Sequence, residues 1–152
     1  MQDFTEALND LLVSVYNKIL RVEEDFLQSG IGAGLTIRDM HMVEFIGKAG
    51  AGGRTLSETA EFLGVARPSV TVSVRKLEQK GFLQKNGCAQ DGRVVRVTLT
   101  RNGRKAYMHH MRFHKLMVLE LESGFSEEEK KVLARGIGKL DRFFEKSIEA
   151  TK

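Results

Sequence analysis

Seven apolar residues, Phe4, Leu8, Leu11, Val15, Ile19, Val22 and Phe26, recur at intervals of 4, 3, 4, 4, 3 and 4. That is the period of one long amphipathic helix, and it restricts the folds open to this chain. A matching stripe closes the sequence, where the capping box Ser126-Glu127-Glu128-Glu129 opens a final helix carrying Leu133, Ile137, Leu140, Phe144 and Ile148. Before it, Thr100 caps another long helix to about Leu121, on the order of 30 Å at 1.5 Å per residue. Three such apolar faces exceed what one small lobe can cover, so they call for a partner surface.

The segment between the long helices is built differently. Gly30, Gly32 and Gly34 break the first helix, and Thr36 begins a second one to about Lys48, with Met40, Val43 and either Phe45 or Ile46 facing inward. GKAGAGGR follows as a loop. Its lysine is not followed by Ser or Thr and no strand precedes it, which excludes a phosphate-cradling loop. Thr55-Leu56-Ser57-Glu58 is a capping box for a short helix to about Leu63. Gly64-Val65-Ala66 then makes a tight turn. Pro68, the only proline, suits the first turn of a helix running to Lys80, and Gly81 stops it.

Two short helices joined by such a turn form a helix-turn-helix. Val70, Val74 and Leu77 make the buried stripe of the second helix. Arg67, Ser69, Thr71, Val72 and Arg75 are left outside, with Lys76 beside them. These hydroxyl, methyl and cationic groups suit base edges and phosphates, and no carboxylate interrupts them between Arg67 and Lys76. Phe82 to Lys85 reads as a short strand, and Val95, Val97 and Leu99 alternate with Arg96 and Thr98 on a return strand. Asn86-Gly87 and Asp91-Gly92 are both turn dipeptides, so the hairpin is expected to protrude as a wing. Arg93 at its tip would enter a narrow, negative minor groove, and Asp91 would orient it through a charge-assisted bond.

Charge agrees with this placement. From Arg54 to Lys105 the chain holds eleven Lys and Arg against four Asp and Glu, whereas the whole chain holds 24 against 20. The flanks therefore carry 13 against 16, and the positive excess sits in the middle. The single cysteine, Cys88, excludes an internal disulfide framework and fits a reducing compartment. The first residues lack a basic stretch followed by an apolar run, and no apolar run reaches spanning length, so a cytoplasmic protein with no membrane partner is expected.

The order of helices, the wing with Asp91-x-Arg93, and Leu99-Thr100-x-x-Gly103-Arg104 before two long helices resemble the MarR family of winged-helix transcriptional regulators. The resemblance covers essentially the whole chain, and VTVSVRKLEQKGFL with QDGRVVRVTLT carries it. FIGKAG, Asp39-Met40-His41, QDGRVV and Arg112-Phe113-His114-Lys115 are similar to the fatty-acid-synthesis repressors (FabT type) within it. The fold implied is mainly α with a small β-wing. A DNA-binding lobe over 35–100 would be flanked by dimerisation helices over 1–34 and 101–152. The resemblance further implies a homodimeric repressor on a pseudo-palindromic double-stranded DNA operator. Its effector would be a long-chain acyl ligand or acyl carrier protein bearing one, with the acyl group in an apolar pocket and no resident cofactor. One departure is Gly92, which stands where family wings often carry Arg or Lys.

Zinc-sensing members of the family are similar in using a carboxylate, a second-helix histidine and a fifth-helix His-x-x-x-His pair. Here His41, His110 and His114 match, with Glu23 or Glu24 as the carboxylate and Glu24 the expected donor. The competing expectation is that His110 and His114 are interfacial or solvent-facing. Cys88 is read as an ordinary loop residue rather than a redox sensor. Met40, Met42, Met108, Met111 and Met117 are read as core more than as an adaptable pocket. No nucleophile–base–acid arrangement suggests an enzyme, and the carboxylate-free basic helix argues against a winged helix that has lost DNA binding.

Overall fold

A computed structural model describes residues 3–32, 34–87 and 95–150. The order is α1 (Phe4–Gln28), α2 (Ile37–Gly47), a short 3-10 turn (Gly50–Gly52), β1 (Arg54–Thr55), α3 (Leu56–Leu63), α4 (Arg67–Gln79), β2 (Leu83–Gly87), β3 (Val95–Leu99), α5 (Arg101–Glu122) and α6 (Glu127–Glu149). The expectation of a mainly helical chain with a small sheet holds. Among the described residues no helix is long and apolar enough to cross a membrane. The chain divides into two units, 1–113 and 114–152.

In the first unit the helix starts follow local chemistry. Thr36 and Thr55 each accept a hydrogen bond from the backbone N–H three residues on, at 3.1 Å, and the Asp39 and Glu58 carboxylates each accept one from the cap residue's N–H. Gly64 ends α3 in the left-handed region at φ 62°, which lets α4 begin three residues later. Met40, Val43 and Ile46 of α2 meet Val70, Val74 and Leu77 of α4 and Leu83, Val97 and Leu99 of the sheet in one core. Of the two inward candidates on α2, Ile46 is the buried one. Phe45 is half-buried, stacked on Phe62 at 4.1 Å, with the Arg54 guanidinium 4.6 Å from its ring centre.

The sheet is antiparallel in the order β1-β3-β2. Its two-residue first strand was not legible in the loop sequence, because Arg54 and Thr55 become a strand only by pairing with Val97 and Arg96. Asn86-Gly87 is corrected. It is not a turn but the end of β2, with Asn86 opposite Arg96 and Gly87 opposite Val95. The hairpin therefore extends further than its composition suggested, and Asp91-Gly92, with Arg93 and Cys88, lies outside the described residues. Simple alternation also fails at Thr98, which is buried. Its hydroxyl receives hydrogen bonds from the side chains of Gln84 (3.3 Å) and Asn86 (2.7 Å), which share its sheet face.

The N-terminal turn of α5 is fitted against this sheet. Thr100 N–H donates to the Phe82 carbonyl at 3.0 Å, and the Thr100 hydroxyl accepts from Gly103 N–H at 3.0 Å. Gly103 lies so close that an added Cβ would stand 2.0 Å from the Phe82 carbonyl oxygen. The predicted stripe of α1 is only partly absorbed. None of its residues is buried: Ile19 and Phe26 are half-buried, Phe4, Leu8, Leu11, Val15 and Val22 are exposed, Phe4 at 78%, and the buried residues of α1 are Glu23 and Leu27, one position off the stripe.

The second unit holds the end of α5 and all of α6, which starts at the predicted capping box on Ser126. No residue of α6 is buried, and Ile137, Phe143, Phe144 and Ile148 are all exposed.

Candidate nucleic-acid interface

Helix α4 presents the face that its sequence predicts. Val70, Val74 and Leu77 are fully buried, and Arg67, Ser69, Thr71, Val72, Arg75 and Lys76 are exposed. Val72, at 69% exposed, is a branched apolar side chain, which suits contact with a thymine methyl. The Thr71 hydroxyl donates to the Arg67 carbonyl at 3.1 Å, leaving its methyl and an oxygen lone pair outward.

The cations of this lobe are not equivalent. Arg67 and Arg75 form no side-chain hydrogen bond or ion pair among the described residues. Lys76, by contrast, binds the nearly buried carboxylate of Asp39 at 2.8 Å. Lys80 donates to the Gly34 carbonyl, Lys85 pairs with Glu78 at 2.7 Å, and Arg104 donates to the Leu99 carbonyl at 2.9 Å. Counting charge along the sequence cannot separate these committed cations from the available ones. Burial pushes the Asp39 carboxyl up. The Lys76 hydrogen bond, the Thr36 backbone and side chain and the Lys76 charge outweigh burial, and hold the group below the usual carboxylate range.

Two histidines, His41 and His110, form a separate cluster in the first unit. His110 is fully buried on α5, contrary to the solvent-facing expectation. Its Nε2 lies 2.5 Å from Glu23 Oε1 on α1 and its Nδ1 lies 3.2 Å from Glu44 Oε2 on α2. His41 Nε2 is 3.5 Å from the same Glu23 oxygen. Glu24 is corrected: it is exposed, and Glu23 is the carboxylate facing the histidines, because the α1 face that packs on the lobe carries Glu23 and Leu27. His114 is half-buried and falls in the second unit. Sequence reasoning missed Glu44 altogether. Its reach to His110 depends on tertiary packing, whereas the Thr36-x-x-Asp39 spacing is a visible signal for the capping box that holds Asp39.

On the first unit Arg101, Arg104, Lys105, His109 and Arg112 line an open cleft of about 690 Å³ with Ile31 and Met108. Arg104 and Met108 also border a second cavity, of about 480 Å³, with Leu99 and Tyr107. Of the methionines, Met40 and Met42 are core, whereas Met108 is 64% exposed at these cavities.

Residues 33–94 match the MarR family model. The chain is similar to FabT of Streptococcus pneumoniae, solved in complex with DNA, at 37% identity over 95% of this chain and 99% of that one, with a TM-score of 0.85. It is similar to the HTH-type transcriptional repressor MdtR of Bacillus subtilis (strain 168), 24% identical over 129 residues, covering 85% of this chain and 82% of MdtR. The Staphylococcus aureus MepR–DNA complex shares the fold at 22% identity and a TM-score of 0.71, over 88% of this chain and 94% of that one. With its helix-turn-helix, its sheet and a 37% identical relative spanned almost end to end, the chain belongs to the MarR family of winged helix-turn-helix transcriptional regulators.

Proposed function

We propose that this protein is a sequence-specific DNA-binding repressor acting in the cytoplasm as a homodimer on a pseudo-palindromic operator. One observation carries the reading: α4 offers an exposed, carboxylate-free face on which Arg67 and Arg75 are uncommitted cations beside Ser69, Thr71 and Val72. In this reading Arg75, Thr71 and Val72 approach base edges, Arg67 and Ser69 approach phosphates, and Arg93 of the wing, oriented by Asp91, enters the minor groove. The exposed apolar faces of α1 and α6 supply the second copy's contact, with 1–34 and 101–152 serving dimerisation and 35–100 reading DNA. Relatives described as a repressor and as a DNA complex support the same assignment.

The test selects duplexes from a random pool and measures binding to the winner and to a scrambled duplex at several salt concentrations. The expected result is a preference that persists at physiological salt together with a steep salt dependence. Equal affinity for both duplexes overturns it.

The effector we propose is an anionic group carrying an apolar chain, free or borne by an acyl carrier protein, and the regulated genes we propose are those of fatty-acid synthesis. The cationic rim of Arg101, Lys105 and Arg112 suits the head, and the adjoining cavity at Leu99, Tyr107 and Met108 suits the chain. Operator binding that is indifferent to both a long-chain fatty acid and a long-chain acyl carrier protein excludes this effector. A second reading, a zinc-responsive repressor, is favoured by Glu23, His41 and His110, whose donor atoms lie within 4.8 Å of one another. Glu44 on the other ring nitrogen of His110 would orient such a ligand. Metal analysis of chelator-free protein, with zinc titration of wild type and His110→Ala, decides between the two.

A further inference from the structure

Two lysines at the C-terminal end of α4 reach the segment that starts α2. Lys76, in the last turn of α4, and Lys80, its C-cap, stand one turn apart. Lys76 Nζ binds Asp39 Oδ2 at 2.8 Å, and Lys80 Nζ donates to the Gly34 carbonyl in the turn before α2. Asp39 is itself fixed: the same Oδ2 accepts from Thr36 N–H at 3.1 Å, and Asp39 N–H donates to the Thr36 hydroxyl at 3.1 Å. The anchor is therefore tied to the backbone at a helix cap rather than carried on a free rotamer.

On the side of α4 that carries Lys76, packing against α2 is incomplete. A cavity of about 380 Å³ opens between α4 and the start of α2 beside the core, lined by Thr36, Arg38 and Met42 on one side and Ser69, Ser73 and Lys76 on the other. The buried stripe of Val70, Val74 and Leu77 seats the helix, but apolar contact is non-directional and permits small rolls about the helix axis. A charged hydrogen bond at a fixed distance does not. A roll of a few degrees displaces the ends of long side chains such as Arg75 by much of a hydrogen-bond tolerance, whereas contacts to phosphate adapt more easily.

We propose that Asp39, through Lys76, and Gly34, through Lys80, clamp the roll of α4, making Asp39 and Lys76 positioning residues for base readout rather than DNA contacts. The proposal rests on the DNA-binding reading and assigns Lys76 a different task from that of the neighbouring arginines.

A double-mutant cycle tests it. Asp39→Asn keeps an acceptor for Thr36 N–H, Lys76→Gln lies outside the cap, and both are measured singly and together on the selected operator and on a scrambled duplex across a salt series. Each single change is expected to weaken operator binding about tenfold, with the double variant no weaker than either, since contacting partners couple by about that much. Affinity for scrambled duplex and its salt slope are expected to stay at the wild-type values. If Lys76→Gln lowers the salt slope by about one while Asp39→Asn leaves operator binding intact or tighter, Lys76 is a phosphate contact and the clamp is wrong. Lowered melting temperatures with unchanged operator affinity reduce the pair to a stability element and overturn the proposal equally. A wild-type chain that cannot distinguish operator from scrambled duplex removes the DNA-binding reading and the clamp with it. A discriminating wild type with indifferent variants removes the clamp alone.

Discussion

Replacing Gly103 by alanine sets two effects of opposite sign against each other. Gly103 lies in the first turn of α5, and exchanging glycine for alanine inside a helix stabilises it by about 1 kcal/mol in the absence of other contacts. Here the new Cβ would stand 2.0 Å from the Phe82 carbonyl oxygen, 3.1 Å from its carbon and 3.3 Å from Leu99 Cβ. The obstacle is backbone at the head of the β2–β3 hairpin, so no side-chain rotation relieves it. Opening a gap of roughly 1 Å costs about 3 kcal/mol as overpacking. It also stretches the 3.0 Å bond from Thr100 N–H to the same Phe82 oxygen, costing about 1 kcal/mol more. The sum is a net loss of about 3 kcal/mol, or roughly 6–12 °C in melting temperature for a chain of this length. Thermal melts of wild type and Gly103→Ala at one fixed protomer concentration measure it, because association shifts the midpoint. A variant as stable as wild type would refute the close approach of α5 to the sheet.

Arg75→Ala should weaken operator binding by about 1–3 kcal/mol while leaving the fold intact, and Arg93→Ala should weaken it and shorten the wing's footprint; titration and footprinting read both. Phe144→Glu places a charge on the exposed apolar face of α6 and should yield a monomer on size-exclusion chromatography that no longer holds the operator at the same concentration. Stability should decline in acid for a definite reason. The Asp39 carboxyl is held below its ordinary value of 3.8, so its contribution is present above that pH and drains away as pH falls through the lower folded value. Denaturant melts from pH 6 downward should show a drop below about 4 that is shallower in Asp39→Asn.

Local signals carried most of the element boundaries. The boxes at Thr55 and Ser126, the Gly64 turn and the inner stripe of α4 stand where the sequence puts them, because each depends on neighbours within four residues. What escaped depends on long-range pairing. Strand β1 exists only opposite β3, and Asn86-Gly87, a turn pair by composition, is held extended by Arg96 and Val95 across the ladder. At the interface, residue types located the exposed face of α4, but only geometry separates committed Lys76 from available Arg75. The choice between Glu23 and Glu24 likewise turned on which side of α1 packs inward, and the apolar stripe runs through Val22 and Phe26 whereas the buried residues are Glu23 and Leu27.

Helix α6, with no residue buried, has a consequence for how such a regulator responds to its own abundance. On the proposed dimer, its order is a collective property of two chains. When protomers are scarce, promoter occupancy then climbs with roughly the square of their number, so a twofold change in synthesis becomes about a fourfold change in repression.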